Sequence, residues 1–423
     1  MSFPAQPADL PATPRGGVVA VVGAGAMGSG IAQVAAQAGH EVHLVDAVPG
    51  MAGAAVDRLT TALGKLAAKG RITDDEARAA ADRLYSAETV ADLPECVLVV
   101  EAIREDLGDK QDLFRDLSER QSAATLLASN TSSLDITAIG EHTAYPGRVL
   151  GLHFFNPVPL MRLVEVVHGK ATSPETLAAA TSLMRIWGKT PVQCTSTPGF
   201  IVNRVARPFY GEAQRMLQDG IADAATLDEA LRRAGFRMGP LELTDFIGQD
   251  VNLAVGTSVW EQTGRDPRYE PTRLQQELVA AGRLGRKSGQ GIYRYASDSA
   301  RDSARDSASD SAAGSSGPVD AVPDEGRLAE LVGGPVETDP VARTLAMLVN
   351  EAVDLVARGE ASAADVDTAM VLGTNYPLGP IAWGHQIGLD VVRAQLEALD
   401  RAYPGGRYRP SPALGLAELG RPR

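Results

Sequence analysis

"VVAVVGAGAMGSGIAQVAAQAGHEVHLVD", residues 18–46, decides the fold. Residues 18–22 are an unbroken β-branched and alanine run, the signature of a strand buried on both faces. A glycine turn follows, then apolar residues at helical spacing over about 27–38, and a second apolar strand at 42–45 that ends on Asp46. Strand, glycine turn, helix and strand in under thirty residues make a βαβ unit, which implies a parallel sheet.

The same texture continues downstream. Strands are predicted at "CVLVV" (96–100), "TLLASN" (125–130), "RVLGLHFF" (148–155) and "RLVEVV" (162–167), with helical stretches between several of them, so roughly the first 200 residues read as a doubly wound α/β sheet. After Pro198 strand signals nearly vanish and long helical patterns take over. The predicted domains are a disordered tail (1–16), a nucleotide-binding domain (17–198), a helical domain (199–296), a flexible acidic linker (297–326) and a second helical domain (327–423). The linker rests on composition: "SDSARDSARDSASDSA" (297–312) is too poor in large apolar groups to offset the entropy of ordering.

The second helical domain repeats the first. Glu351 aligns with Glu212, Gly359 with Gly220 and Asp367 with Asp228 at an offset of 139; the offset is 140 at Gly379 over Gly239 and returns to 139 where "RYRPS" (407–411) meets "RYEPT" (268–272). The copies differ where the first has Phe209 and Gly211 and the second Leu348 and Asn350, which suits the second to packing rather than to a second site.

A chain of 423 residues with formal charge −13 can bury several cores and disfavours non-specific binding to nucleic acid or to an anionic membrane. No apolar run is long enough to span a bilayer, and the two cysteines, Cys96 and Cys194, lack any paired spacing. We expect a soluble cytoplasmic protein, with no metal site.

Gly23, Gly25 and Gly28 form GxGxxG in the context that gives the pattern meaning, after a strand and opening a helix, with an acid ending the next strand. Gly23 permits the tight turn, Gly25 a close approach of pyrophosphate, and Gly28 close helix packing; Ala26 and Met27 fill the same loop. Asp46 would accept hydrogen bonds from a ribose diol and repel a 2′-phosphate, so NAD is expected over NADP. A second constellation lies in "GLHFFNPVPLMRLVEVV" (151–167), an apolar stretch holding His153, Asn156 and Glu165. A histidine with a carboxylate to fix its tautomer is an acid–base pair suited to neutral pH, although such a pair in an apolar setting can also be purely structural.

"SNTSSLDI" (129–136), "GLHFFNPVPLMRLVEVV" and "PGFIVNRV" (198–205), taken with the glycine loop, resemble the L-3-hydroxyacyl-CoA dehydrogenases over about Val18 to Tyr295. The duplicated C-terminal domain is similar to long bacterial members, including those acting on 3-hydroxybutyryl-CoA and 3-hydroxyadipyl-CoA. The resemblance implies a Rossmann-type NAD-binding domain followed by two copies of an all-α 3-hydroxyacyl-CoA dehydrogenase C-terminal domain, and oxidation of an L-3-hydroxyacyl-CoA. It implies His153 as base, Glu165 as its support, and Ser132 and Asn203 as hydrogen-bond partners of the substrate oxygen. It adds Asn130, Asn156, Glu105, Lys110 and Lys287 as cofactor contacts and Lys69 as a CoA contact, the last weakened by Ala62 where some members carry an assisting serine. Single-copy relatives dimerise through their helical domains, so the second copy is expected to form an internal pseudo-dimer in a monomer or homodimer. Arg207 or Arg237 could meet a distal carboxylate of the acyl group. The alternatives are a sugar-acid dehydrogenase of the lambda-crystallin type and a non-catalytic scaffold of the same fold.

Overall fold

Residues 16–296, 317–319 and 321–415 are described in the computed structural model of the chain. Most of the sequence read as a linker (297–316 and 320) and as a tail (1–15) lies outside them. The chain forms two compact units, Met1–Phe200 and Ile201–Arg423.

The first unit is built on eight strands: β1 Val18–Val22, β2 Glu41–Val45, β3 Leu84–Ser86, β4 Leu98–Glu101, β5 Leu126–Ser129, β6 Val149–Phe154, β7 Leu163–His168 and β8 Thr190–Thr195. Their order is β3-β2-β1-β4-β5-β6-β7-β8, parallel except where β7 runs antiparallel to β6. The six strands expected from apolar runs are all present. The two unforeseen ones, β3 and β8, are the edges of the sheet. β3 has three residues and β8 carries Pro191, and neither has the continuous apolar run of a strand buried between neighbours.

The inner strands form the core with the helix Ala26–Gln37 on one side. Val19, Val21, Ile31, Leu44, Leu98, Val100, Leu150, Leu152 and Phe154 are almost wholly buried, each contributing on the order of 1.5–3 kcal/mol. Chain direction around β1 matters for function: β2 and β3 lie to one side and β4 onward to the other, so the topology switches between β1 and β4. At such a switch the strand ends diverge and leave a crevice at the carboxyl edge of the sheet.

The second unit is helical and contains both copies of the repeat. The helix Pro340–Ala357 packs on Arg207–Gln218, the equivalent helix of the first copy. Its Ala346, Met347, Leu348, Val349, Ala352 and Val353 are at most 1% exposed, so the second copy supplies a core the first copy does not have alone. Each copy also uses an aspartate to cap an internal helix, wholly buried in the first copy and half-buried in the second. Asp228 accepts from Leu241 N and Glu242 N, and its repeat counterpart Asp367 accepts from Ile381 N and Ala382 N.

Candidate active site

The register of the parallel strands sets one row of residues side by side: Val22 opposite Glu101, Glu101 opposite Ser129, Ser129 opposite Gly151. The residues just beyond this row form the carboxyl edge, and Gly23, Gly25, Asn130 and Ser132 of the predicted site follow its strands.

Gly23 follows β1 with φ 106°, and a Cβ on it would meet Ala102 O at 2.4 Å. A Cβ on Gly28 would meet Gly23 O at 1.8 Å, so the turn closes only with glycine at both positions. Gly25 differs. It is the N-cap of the helix Ala26–Gln37, offers no side-chain cap, and nothing lies within 4 Å of where its Cβ would be. The helix therefore begins with uncapped N–H groups facing open space, the arrangement that accepts a pyrophosphate. Asp46, at the end of β2, accepts from Ala24 N (2.8 Å) and from Val48 N (2.9 Å). Its carboxylate thus ties the β2 end to the glycine loop, and the remaining lone pairs can still accept from a ribose diol.

His153 and Glu165 are directly opposed across the antiparallel β6–β7 pair. The His153 Nδ1 lies 2.5 Å from Glu165 Oε2, with the histidine 7% exposed and the glutamate fully buried. An ionised carboxylate can only accept, so Nδ1 donates to it, and in the neutral imidazole this tautomer leaves the Nε2 lone pair free. Rings of Phe155 (4.5 Å) and Phe200 (5.8 Å) flank the imidazole. Phe200 has φ 49°, a conformation costly for an aromatic residue, and it is 1% exposed against the histidine. Asn130 Oδ1 accepts from Phe154 N at 2.9 Å, fixing the end of β6 beside the histidine.

Ser132 belongs to a loop held by acids. Glu105 Oε1 accepts from Thr131 Oγ1 (2.5 Å), Ser132 N (3.0 Å) and Ser133 Oγ (3.1 Å), and Glu105 Oε2 is 3.3 Å from Lys110 Nζ. Burial alone would raise the Glu105 carboxyl; Thr131, Lys110 and the backbone N–H of Ser132 outweigh it and lower it. Lys110 is 1% exposed and also pairs with Glu101 at 2.5 Å, which in turn accepts from Ser129 Oγ and Ile103 N. Glu105, with Lys110 beside it, therefore holds the Thr131–Ser133 loop; their expected role as cofactor contacts stays part of the proposal. Glu101 and Thr131 were missed in the sequence, although an acid closing the apolar run "LVVE" was a usable signal.

The remaining expected residues are dispersed. Asn156 is exposed on the turn after β6, where the Asn156–Pro157 peptide is cis. Lys69 is exposed at the C-cap of the helix Met51–Ala68, with Lys65 exposed one turn before it. Asn203 and Lys287 belong to the second unit. Asn203 opens the helical segment there and its carbonyl accepts from Arg207, while Lys287 pairs with Asp250 at 2.6 Å. Among the described residues no group of three acidic, histidine or cysteine side chains could hold a metal, and no helix is long and apolar enough to cross a membrane.

The chain is similar to known proteins along most of its length. The family described as 3-hydroxyacyl-CoA dehydrogenase, NAD binding domain, matches residues 18–197, and the corresponding C-terminal domain matches 199–295 and again 340–421. The chain is 40% identical over 456 residues to the 3-hydroxyadipyl-CoA dehydrogenase of Escherichia coli (strain K12), covering 94% of this chain and 96% of that one. It is 42% identical over 278 residues to a probable 3-hydroxybutyryl-CoA dehydrogenase of Bacillus subtilis (strain 168), covering 66% of this chain and 96% of the relative. A crystal structure of 3-hydroxybutyryl-CoA dehydrogenase from Escherichia coli K12 superposes with a TM-score of 0.82 at 38% identity, covering 94% and 97% of the two chains.

Proposed function

The chain belongs to the 3-hydroxyacyl-CoA dehydrogenase family, and from that premise we propose that His153 is the base in its oxidation of an L-3-hydroxyacyl-CoA to the 3-oxoacyl-CoA. The observation that carries this reading is the 2.5 Å contact of His153 Nδ1 with buried Glu165, set at the carboxyl edge of a sheet whose first helix begins uncapped.

NAD supplies the hydride acceptor for C3 when bound. The residues fit it: the open approach at Gly25, the N–H groups at Ala26 and Met27, the close packing of Gly23 and Gly28, and the Asp46 carboxylate at the end of β2. The work of the protein is then proton handling and positioning. His153 Nε2 takes the proton of the 3-hydroxyl as the C3–H bond breaks, and the reverse reaction returns it to the same oxygen. Glu165 stabilises the imidazolium so formed and prevents the ring from turning. Flanking Phe155 and Phe200 keep water from the imidazole, which strengthens its pairing with Glu165. In the proposal Ser132, aimed by Glu105, hydrogen-bonds the substrate oxygen, and Asn130 and Asn156 hold the cofactor side of the site. Asn203 as a further partner of that oxygen, Glu105, Lys110 and Lys287 as cofactor contacts and Lys69 as a CoA contact rest on the resemblance.

For the acyl group we favour a dicarboxylic chain. A relative that this chain matches along nearly its whole length, second copy included, is named for 3-hydroxyadipyl-CoA, and a solved structure of equal coverage is titled for 3-hydroxybutyryl-CoA, which makes the monocarboxylic chain the rival reading. Following NADH formation with 3-hydroxybutyryl-, 3-hydroxyhexanoyl- and 3-hydroxyadipyl-CoA tests both levels. Turnover of none would reject the activity, and a preference for 3-hydroxybutyryl-CoA would reject the dicarboxylic reading.

A further inference from the structure

The two copies of the helical repeat act as controls for one another. Where the second copy has a solid apolar interior at Ala346, Val349, Val353, Val392 and Leu414, each at most 3% exposed, the first copy carries Arg207, Tyr210, Gln214, Asn252 and Gln275 at the equivalent positions. Building this fold therefore does not require polar groups there. Polar groups at such a place cost stability unless each finds a hydrogen-bond partner. Gln275 donates to Gln249 and Asn252 within the fold, whereas Arg207 and Gln214 keep donors that the described residues do not match with an acid or an acceptor.

The side chains line a half-open cleft where the two copies meet, with Glu270 and, from the second copy, Arg407 also in its wall; it spans about 330 Å³ counting the open solvent at its mouth. Arg207 is its distinguishing group. The Nε donates to Asn203 O (2.8 Å) and one terminal nitrogen to Asn252 O (3.3 Å), with the guanidinium 5.0 Å over the Tyr210 ring. Among the described residues no carboxylate lies within ion-pair distance of it, whereas Arg204, Arg268, Arg343 and Arg407 of the same unit all have acidic partners. Gln214 is 2% exposed, yet its Nε2 has no hydrogen-bond partner among the described residues, while its Oε1 accepts from Thr272. A cation without an anion and a buried amide donor without an acceptor border the same space. Both deficits are met by one chemical group, a carboxylate, which takes two donors at once. Arg237, the other arginine considered from the sequence, is exposed and lines no such cleft.

We propose that the cleft at Arg207 binds a carboxylate, either the free end of a dicarboxylic acyl group or a short free dicarboxylate. The first source rests on the proposed function; the second does not. The experiment uses the full-length protein and its variants Arg207→Gln and Arg207→Lys. Steady-state kcat/KM is measured with 3-hydroxyadipyl-CoA and with 3-hydroxyhexanoyl-CoA, which has the same chain length and ends in a methyl group. Adipate binding is measured by calorimetry, and thermal unfolding checks the fold. For the acyl source, Arg207→Gln lowers kcat/KM for 3-hydroxyadipyl-CoA roughly 10- to 100-fold and leaves 3-hydroxyhexanoyl-CoA within about two-fold, with Arg207→Lys in between. For the free acid, wild type binds adipate, Arg207→Gln does not, and both substrates are turned over as before. Equal losses on both substrates, or no change on either together with no adipate binding by wild type, overturn the proposal. Turnover of neither substrate by wild type rejects the proposed function and leaves the adipate titration to judge the cleft.

Discussion

Glu212 and Glu351 occupy the same position in successive copies of the repeat, and each is held by the other's copy. Glu212 accepts from Arg343 (2.9 Å), from Arg407 (2.6 and 2.9 Å) and from the Tyr408 hydroxyl (2.8 Å). Glu351 accepts from Arg204, from Arg268 (3.2 Å) and from the Tyr269 hydroxyl (2.6 Å). Every donor in one set lies 139 residues from its equivalent in the other, so the exchange has the reciprocity of a two-fold interface inside one chain. Both carboxylates are wholly buried, where removing one partner of such a group typically costs roughly 3–5 kcal/mol.

Because each copy carries one glutamate and its own arginine pair, two truncated chains could reproduce the exchange between them. Deleting 297–423 is expected to leave Glu212, Arg204 and Arg268 without partners, exposing the face of Arg207–Gln218 and driving dimerisation or aggregation. Light scattering follows this. A truncated protein that remains a stable, fully active monomer would show that the second copy is not needed for packing.

Acid should weaken this network. Burial would raise the Glu212 carboxyl, but Arg407 and Arg343 outweigh it and hold it at about 2; Glu351 is lowered in the same way against burial by Arg204 and Arg268. A carboxylate depressed on folding stabilises fully above its unfolded pKa, near 4.3, and loses that contribution as pH falls toward the folded value. Glu212 alone accounts for roughly 3 kcal/mol across this window. The denaturant midpoint of the second unit is expected to fall steeply between about pH 4.5 and 2, and a flat profile there would contradict the assigned charge state.

His153→Gln retains a donor toward Glu165 but removes the basic nitrogen. It is expected to lower kcat by roughly 10²–10⁴-fold while NAD binding, followed by fluorescence titration, changes little. Near-normal turnover with an unaltered pH profile would remove His153 from the mechanism.

Asp46→Ser combined with Ala47→Arg should raise KM for NAD about ten-fold or more and narrow the preference over NADP, since the charged acceptor is lost and a 2′-phosphate gains a cation. The wild type is the sharper check: if it already favours NADP, Asp46 does not have the role given to it.

Glu105→Gln probes the loop that carries Ser132. The amide cannot accept from Thr131, Ser132 and Ser133 while facing Lys110 as the carboxylate does, so kcat is expected to drop while KM for NAD moves less. A change confined to KM for NAD would show that Glu105 acts as a direct cofactor contact rather than through the loop.

The sequence by itself determined what local pattern and residue chemistry can carry. The βαβ unit with Gly23, Gly25, Gly28 and Asp46, the inner strands, the His153 and Glu165 constellation and the duplication were all legible, because buried strands are continuous apolar runs and a repeat is visible by alignment. The edge strands β3 and β8 were not, since an edge has one neighbour and needs no such run. Tertiary structure alone decided the rest. Lys110 reads as a surface charge on a helix, and only the fold brings Glu101 and Glu105 to it and buries all but one edge of that cluster. Glu212 and Glu351 align in the sequence, but nothing in the alignment says that each is neutralised by the other copy. That choice depends on which faces meet, and facing surfaces are set by the packing of whole helices rather than by any single stretch of residues.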